Sequence, residues 1–112
     1  MAIELTRSAA RRYMLAYHHL LPPRTLSGSA GVRKLMERLR CVQVDPLDIV
    51  GRNVHLVMQS RVRGFRAHHL DELIYGDLLL VEALDNVRSV VHADYWPLLE
   101  PFRRRMREHH AT

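Results

Sequence analysis

One cysteine in 112 residues, Cys41, excludes an internal disulfide and suits a reducing compartment. Lysine is equally scarce: the basic residues are 16 arginines and Lys34, against 12 acidic residues, for a net charge of +5. No apolar run approaches the roughly 18 residues that a membrane helix needs, so nothing is expected to span a bilayer. The first turns hold Glu4, Arg7, Arg11 and Arg12 instead of the apolar stretch of a secretory leader. A cytoplasmic, nucleoid-associated location is therefore expected. There is no glycine-rich phosphate loop, no Ser-His-Asp set and no Cys/His pattern with metal-ligand spacing. Neither a cofactor nor a metal site is expected. At this length the chain reads as a single domain over residues 1–112 with a modest core.

What is present is arginine. The guanidinium fork binds phosphates and base edges bidentately, so the bias suits a nucleic-acid partner. A GC-rich coding sequence would produce the same bias, and composition does not separate the two.

The most informative stretch is Gln43-Val44-Asp45-Pro46, a polar pair set in an apolar run. An unpaired polar group costs a few kcal/mol to bury, so two of them flanking one valine need a reason. Pro46 disfavours the helical region for Asp45 and pushes it to an extended conformation. In an extended segment, residues two apart point the same way, about 6–7 Å from each other. Gln43 and Asp45 would then face one small volume while Val44 anchors the segment in the core. The competing reading is that Asp45 is an N-cap with Pro46 at the first helical position. The two are compatible, because a capping carboxylate keeps one oxygen free.

Along the chain, residues 6–20 read as an amphipathic helix with Ala9, Ala10, Tyr13, Met14, Tyr17 and Leu21 on one stripe, ended by Pro22-Pro23. Residues 22–30 form a loop. A second helix is predicted over 31–40, with Val32, Leu35, Met36 and Leu39 inside. A third is predicted from Pro46 to about Met58 on the stripe Leu47, Val50, Val54 and Val57. Helix, short connection and helix over 31–57 has helix-turn-helix spacing, and its second helix offers Arg52, Asn53 and His55 to phosphates or bases. A loop with Ser60, Arg61, Arg63 and Gly64 leads to a fourth helix over 67–75, with Leu70, Leu73 and Ile74 inside. His68, His69 and Asp71 lack the spacing of a helical metal pair and read as a solvated face. Residues 78–84 and 87–92 read as a hairpin turned by Asp85-Asn86, with a continued helix as the alternative. Asp94 would cap a basic C-terminal helix over 98–112. Its Arg103, Arg104, Arg105 and Arg107 are either a nucleic-acid footprint or a solubilising end. Helices followed by a hairpin, with basic loops, describe a mainly α, α+β winged helix-turn-helix. Val44, Leu35, Leu39, Val50, Val54, Leu73 and Ile74 are expected in one core.

The run VQVDPLDIVGRNVHLVMQSRVRGF resembles the crosslink-repair DNA glycosylases built from tandem winged-helix domains, the AlkZ/YcaQ type. Their Gln-aliphatic-Asp/Gln motif corresponds to Gln43-Val44-Asp45. The resemblance continues through Arg52, His55, Ser60-Arg61, LDELIY at 70–75, Glu82, Ser89 and Trp96-Pro97. It departs at Asp48, where Asn is common, at Val54, where a second His is usual, and at Leu84-Asp85-Asn86, where Trp-x-His is typical. Such proteins are several times longer, so the chain matches their first winged-helix module, with a downstream winged-helix segment as the implied complement.

The resemblance implies hydrolysis of the N-glycosidic bond of N7-alkylated or crosslinked guanine in double-stranded DNA. Gln43 and Asp45 would be the catalytic pair. Arg52, Asn53, His55, Arg61, Arg63, Arg103, Arg104 and Arg105 are the candidate DNA contacts. A non-catalytic winged-helix DNA binder and an inert remnant remain the alternatives.

Overall fold

The computed structural model describes residues 2–45, 50–84 and 88–111. The elements run α1 (Arg7–Tyr17), α2 (Gly28–Leu39), β1 (Cys41–Gln43), α3 (Asn53–Gln59) and α4 (Ala67–Asp71), the last continued by a π-helical turn (Glu72–Gly76). Then come β2 (Leu80–Leu84), β3 (Arg88–His92), a 3-10 segment (Ala93–Leu99) and α5 (Glu100–Ala111). The strands form one antiparallel sheet in the order β1-β3-β2. From α2 onward the order helix, strand, helix, helix, strand, strand is the expected α+β, winged-helix-like arrangement. The two flanks of the predicted hairpin fall on β2 and β3, while Asp85-Asn86 lies outside the described residues.

The core is a single cluster that includes Val32, Leu35, Met36, Val54, Met58, Leu73, Leu80 and Val90, with Leu39, Val44 and Ile74 packed against it. Gly31 lets α2 approach the 60–66 connection closely. A Cβ there would sit 3.0 Å from the Leu26 carbonyl carbon and 3.0 Å from a Val62 methyl. Ala at this position would have to push one of them away.

Five expectations are corrected. Among the described residues of the predicted 46–58 helix, Val50, Gly51 and Arg52 are not helical, and the helix begins at Asn53 with Arg52 as N-cap. Gly51, at φ +149°, stands outside any helical conformation and breaks the apolar spacing on which that prediction rested. Val50 is therefore 83% exposed and not in the core. Pro46, Leu47, Asp48 and Ile49, and with them the geometry of an Asp45 cap, lie outside the described residues.

The helix-turn-helix pair is also displaced. A strand, β1, separates α2 from α3, so the adjacent helices joined by a short connection are α3 and α4. The stripe read on α1 does not bury: no residue of that helix is buried, and Tyr13 and Met14 are 66% and 62% exposed. Finally, the N-cap at the C-terminal end is His92, whose Nδ1 accepts from the Asp94 amide at 3.2 Å, and Pro97 sits in the 3-10 segment before α5 begins.

The helix α1 begins as the sequence suggested, with the Thr6 hydroxyl accepting the Ala9 amide at 3.0 Å. Its far end is tied down by arginines. Arg61 Nε donates to the His18 carbonyl at 2.8 Å, and Arg38 lies over the Tyr17 ring at 5.4 Å. Between them sits His19, whose pKa is held below the ordinary imidazole value by burial first, and then by the charges of Arg38 and Arg61.

Two outcomes follow from this packing. Leu35→Ala, at a fully buried site, should cost about 2–5 kcal/mol in denaturant melts, whereas Val50→Asp should stay within about 0.5 kcal/mol of wild type. The neutral His19 ring belongs to the folded state, so the unfolded chain takes up that proton first as pH falls. Stability from this group is then lost as pH drops below 6.5 toward the lower folded value. Between about pH 7.5 and 5.5 the Tm should fall further for wild type than for His19→Gln.

Candidate functional site

The Gln43–Asp45 segment is built by strand pairing. In β1, Cys41, Val42 and Gln43 oppose Val91, Val90 and Ser89 of β3. The ladder runs one residue further, because the Val44 amide donates to the Arg88 carbonyl at 2.8 Å. Side chains alternate across a strand, and here burial follows suit. Val42 is buried, Gln43 exposed, Val44 half-buried against the core, and Asp45 exposed. The expectation that Val44 anchors the segment while its two polar neighbours share the other face agrees with this alternation.

The sheet order makes β1 an edge strand. Val44 pairs directly with Arg88 through its amide, so the intervening Gln43 turns its own backbone groups outward. The Asn53 side-chain amide meets that outward carbonyl, donating to Gln43 O at 2.7 Å. The first residue of α3 thus fixes the edge of β1 at the residue that carries the amide side chain. Sequence reading had offered Asn53 to DNA. In the structure its side-chain amide bonds the protein itself, and no short-range pattern reveals a contact ten residues apart.

The other candidate residues divide by what they touch. Arg61 is half-buried, and besides His18 its Nη1 donates to the Val57 carbonyl at 3.1 Å and to the Ser60 hydroxyl at 2.8 Å. His55 is half-buried with its ring 5.8 Å from Phe65. Arg103 lies over the Trp96 ring at 3.8 Å and donates to the Trp96 carbonyl at 2.7 Å and to Glu100 at 2.6 Å. Bonds from Arg107 and then Arg103 hold the Glu100 carboxyl below the usual carboxylate range. Arg52, Arg63, Arg104 and Arg105 are exposed and make no ion pair with a carboxylate among the described residues.

The histidines on α4 have local work: His69 Nδ1 accepts the Arg66 amide at 2.9 Å, closing the helix start. Among the described residues no three His, Cys, Asp or Glu side chains gather as metal ligands would.

A cleft of about 470 Å³, missed by sequence reading, opens between the hairpin and α5, walled by Ala83, Trp96 and Met106 and rimmed by Arg88 and Arg107. Strands and C-terminal helix meet only in the fold, so local spacing carried no signal for it. Gln43 and Asp45 are outside its lining.

With an exposed amide and carboxylate on an extended segment and several exposed arginines in view, the comparison with known families is decisive. A family model described as DNA glycosylase AlkZ-like matches residues 36–112, from the middle of α2 to the end of the chain. The chain belongs to the AlkZ-like DNA glycosylase family. No curated protein and no solved structure matches it. The matched segment contains all three strands and the Gln43–Asp45 segment, and it leaves out α1.

The AlkZ-like segment therefore depends on two anchors that substitution can test. Asn53→Ala removes the cap on the β1 edge and should lower stability by about 1 kcal/mol, with Asn53→Asp failing to restore it because a carboxylate cannot donate. Arg103→Ala should lower the Tm, whereas Arg104→Ala plus Arg105→Ala should leave it unchanged, since of these three it is Arg103 that bonds the Trp96 carbonyl and Glu100.

Proposed function

We propose that this AlkZ-like chain is a DNA-repair module in which Gln43 and Asp45 carry the hydrolysis of the N-glycosidic bond of N7-alkylated or crosslinked guanine. The observation that supports it is the burial alternation over residues 42–45: Val42 and Val44 pack toward the core while Gln43, at the end of β1, and Asp45, just beyond it, are exposed.

The chemistry asks for little beyond that pair. Alkylation at N7 makes the base cationic, so it departs as a neutral molecule and needs no strong general acid. The C1′–N9 bond breaks with its electrons going to the base, an oxocarbenium-like centre develops at C1′, and water adds to C1′. Asp45 stabilises that positive centre and accepts the proton of the attacking water, as carboxylates do in glycoside hydrolysis. Gln43 orients the water through its amide, which shortens the search for a productive geometry.

DNA affinity comes from the arginines rather than from this pair. Arg52, Arg63, Arg104 and Arg105 have exposed guanidiniums, and neutralising phosphates with them makes binding weaken as salt rises. In this reading Asn53, Arg61 and Arg103 act indirectly, by holding β1, α1 and α5 in place. A single winged-helix-like unit supplies one wall around the damaged nucleotide, since Gln43 and Asp45 are both exposed. We place the chain as the first module of a tandem winged-helix architecture, and expect excision by the chain alone to be weak.

Asp45→Asn is the test, read as single-turnover release of N7-methylguanine from duplex DNA. The isolated chain, or the chain joined to the further winged-helix modules of the family, serves as enzyme, whichever gives turnover above spontaneous depurination. Excision should fall by about 10²–10⁴-fold, the usual worth of a positioned base, while DNA affinity holds or rises slightly. Gln43→Ala should cost less. Asn caps a helix as well as Asp does, so an active Asn variant would reduce Asp45 to a structural role and leave the non-catalytic DNA binder as the reading.

A further inference from the structure

The helix that follows the turn in a helix-turn-helix is the one that ordinarily enters the major groove. Here that helix is α4 with its π-helical continuation, and its outward stripe is His68, Asp71, Glu72 and Tyr75, followed by Asp77. Leu70, Leu73 and Ile74 occupy the inward side. Asp71, Glu72 and Asp77 are exposed and pair with no arginine among the described residues. Three uncompensated carboxylates against a phosphate backbone would repel it at the distances where charges are least screened.

The opposite charge lies beside β1. Arg40 directly precedes β1, about 10 Å of extended chain before Gln43, and Arg52 directly precedes Asn53, whose amide holds the Gln43 carbonyl at 2.7 Å. Both side chains are exposed, and neither meets a carboxylate among the described residues.

We propose that DNA lies along the β1 edge, its phosphates gripped by Arg40 and Arg52 on either side of Gln43, while the acidic stripe of α4 faces away from the duplex. This rests on the reading of the chain as a DNA binder, and it deepens that reading by naming the face. It inverts the usual use of the fold: the groove-reading helix is excluded by its charge, and an edge strand takes its place. The arrangement brings the sugar-phosphate backbone to Gln43 and Asp45, which a complex docked through α4 need not do.

The experiment measures fluorescence anisotropy of a labelled duplex of about 20 base pairs with the full chain, from about 50 to 200 mM NaCl. Each lost phosphate contact removes about 0.9 from the slope of log K against log salt. Arg40→Gln with Arg52→Gln should therefore flatten the slope by nearly 2 units. The triple variant Asp71→Asn, Glu72→Gln, Asp77→Asn should bind as wild type does. The single arginine variants, each expected to remove about 0.9, carry the test if the pair does not fold by circular dichroism. Tighter binding by the carboxylate triple, or a slope untouched by the arginine variants, would overturn this placement and leave the chain's DNA binding intact. A wild-type chain that fails to bind at the lowest salt would overturn the placement together with the function it rests on.

Discussion

The pairing of β1 with the hairpin strand β3 is the constraint on which the rest depends. Three residues of edge strand would hold poorly alone, since half of the backbone groups face away from the sheet. The Asn53 amide on the Gln43 carbonyl supplies the missing partner on the outer side. That single bond couples the start of α3 to the strand. Through α3 it couples the strand to Val54 and Met58 in the core. The segment gains a fixed register, and register decides which side of the strand Gln43 and Asp45 occupy.

Arginine is used in two ways. Arg38, Arg61 and Arg103 point their guanidiniums inward, at backbone carbonyls and aromatic rings. The planar fork satisfies several acceptors at once, which an ammonium on a flexible stem would not do. Arg40, Arg52, Arg63, Arg104 and Arg105 stay at the surface. The bias toward arginine therefore has a structural component as well as an electrostatic one. Counting basic residues in the sequence overstates the number available to a phosphate.

What was legible in the sequence follows the reach of local physics. The burial alternation over residues 42–45 agrees with the extended conformation that a following proline favours. The two hairpin strands announced themselves through aliphatic residues flanking Asp85-Asn86, and the inward residues of α4 through helical spacing. Gly51 was the informative failure. Leu47, Val50, Val54 and Val57 have helical spacing, yet one glycine at φ +149° breaks the series, so that Val54 is buried and Val50 is in solvent. The strand β1, unforeseen between α2 and α3, moved the helix-turn-helix from α2–α3 to α3–α4. The Asn53–Gln43 bond, the Arg61 ties to α1 and the hairpin–α5 cleft join residues distant in sequence. No periodicity in one segment encodes a partner in another.

The exposure of the Gln43–Asp45 pair is an argument for the proposed chemistry. A buried carboxylate is useful when an enzyme needs a proton donor, because burial disfavours the charged form. A cationic leaving group removes that need: the base departs neutral, and the reaction wants negative charge beside the sugar together with a held water. A strand edge offers both at small cost. The backbone is fixed by the sheet and by Asn53, the valines on either side of Gln43 take the packing, and the polar side chains need not enter the core. Such a site keeps its carboxylate accessible to a sugar that arrives on the outside of a bulky crosslinked substrate. A deep pocket would exclude that substrate by shape alone.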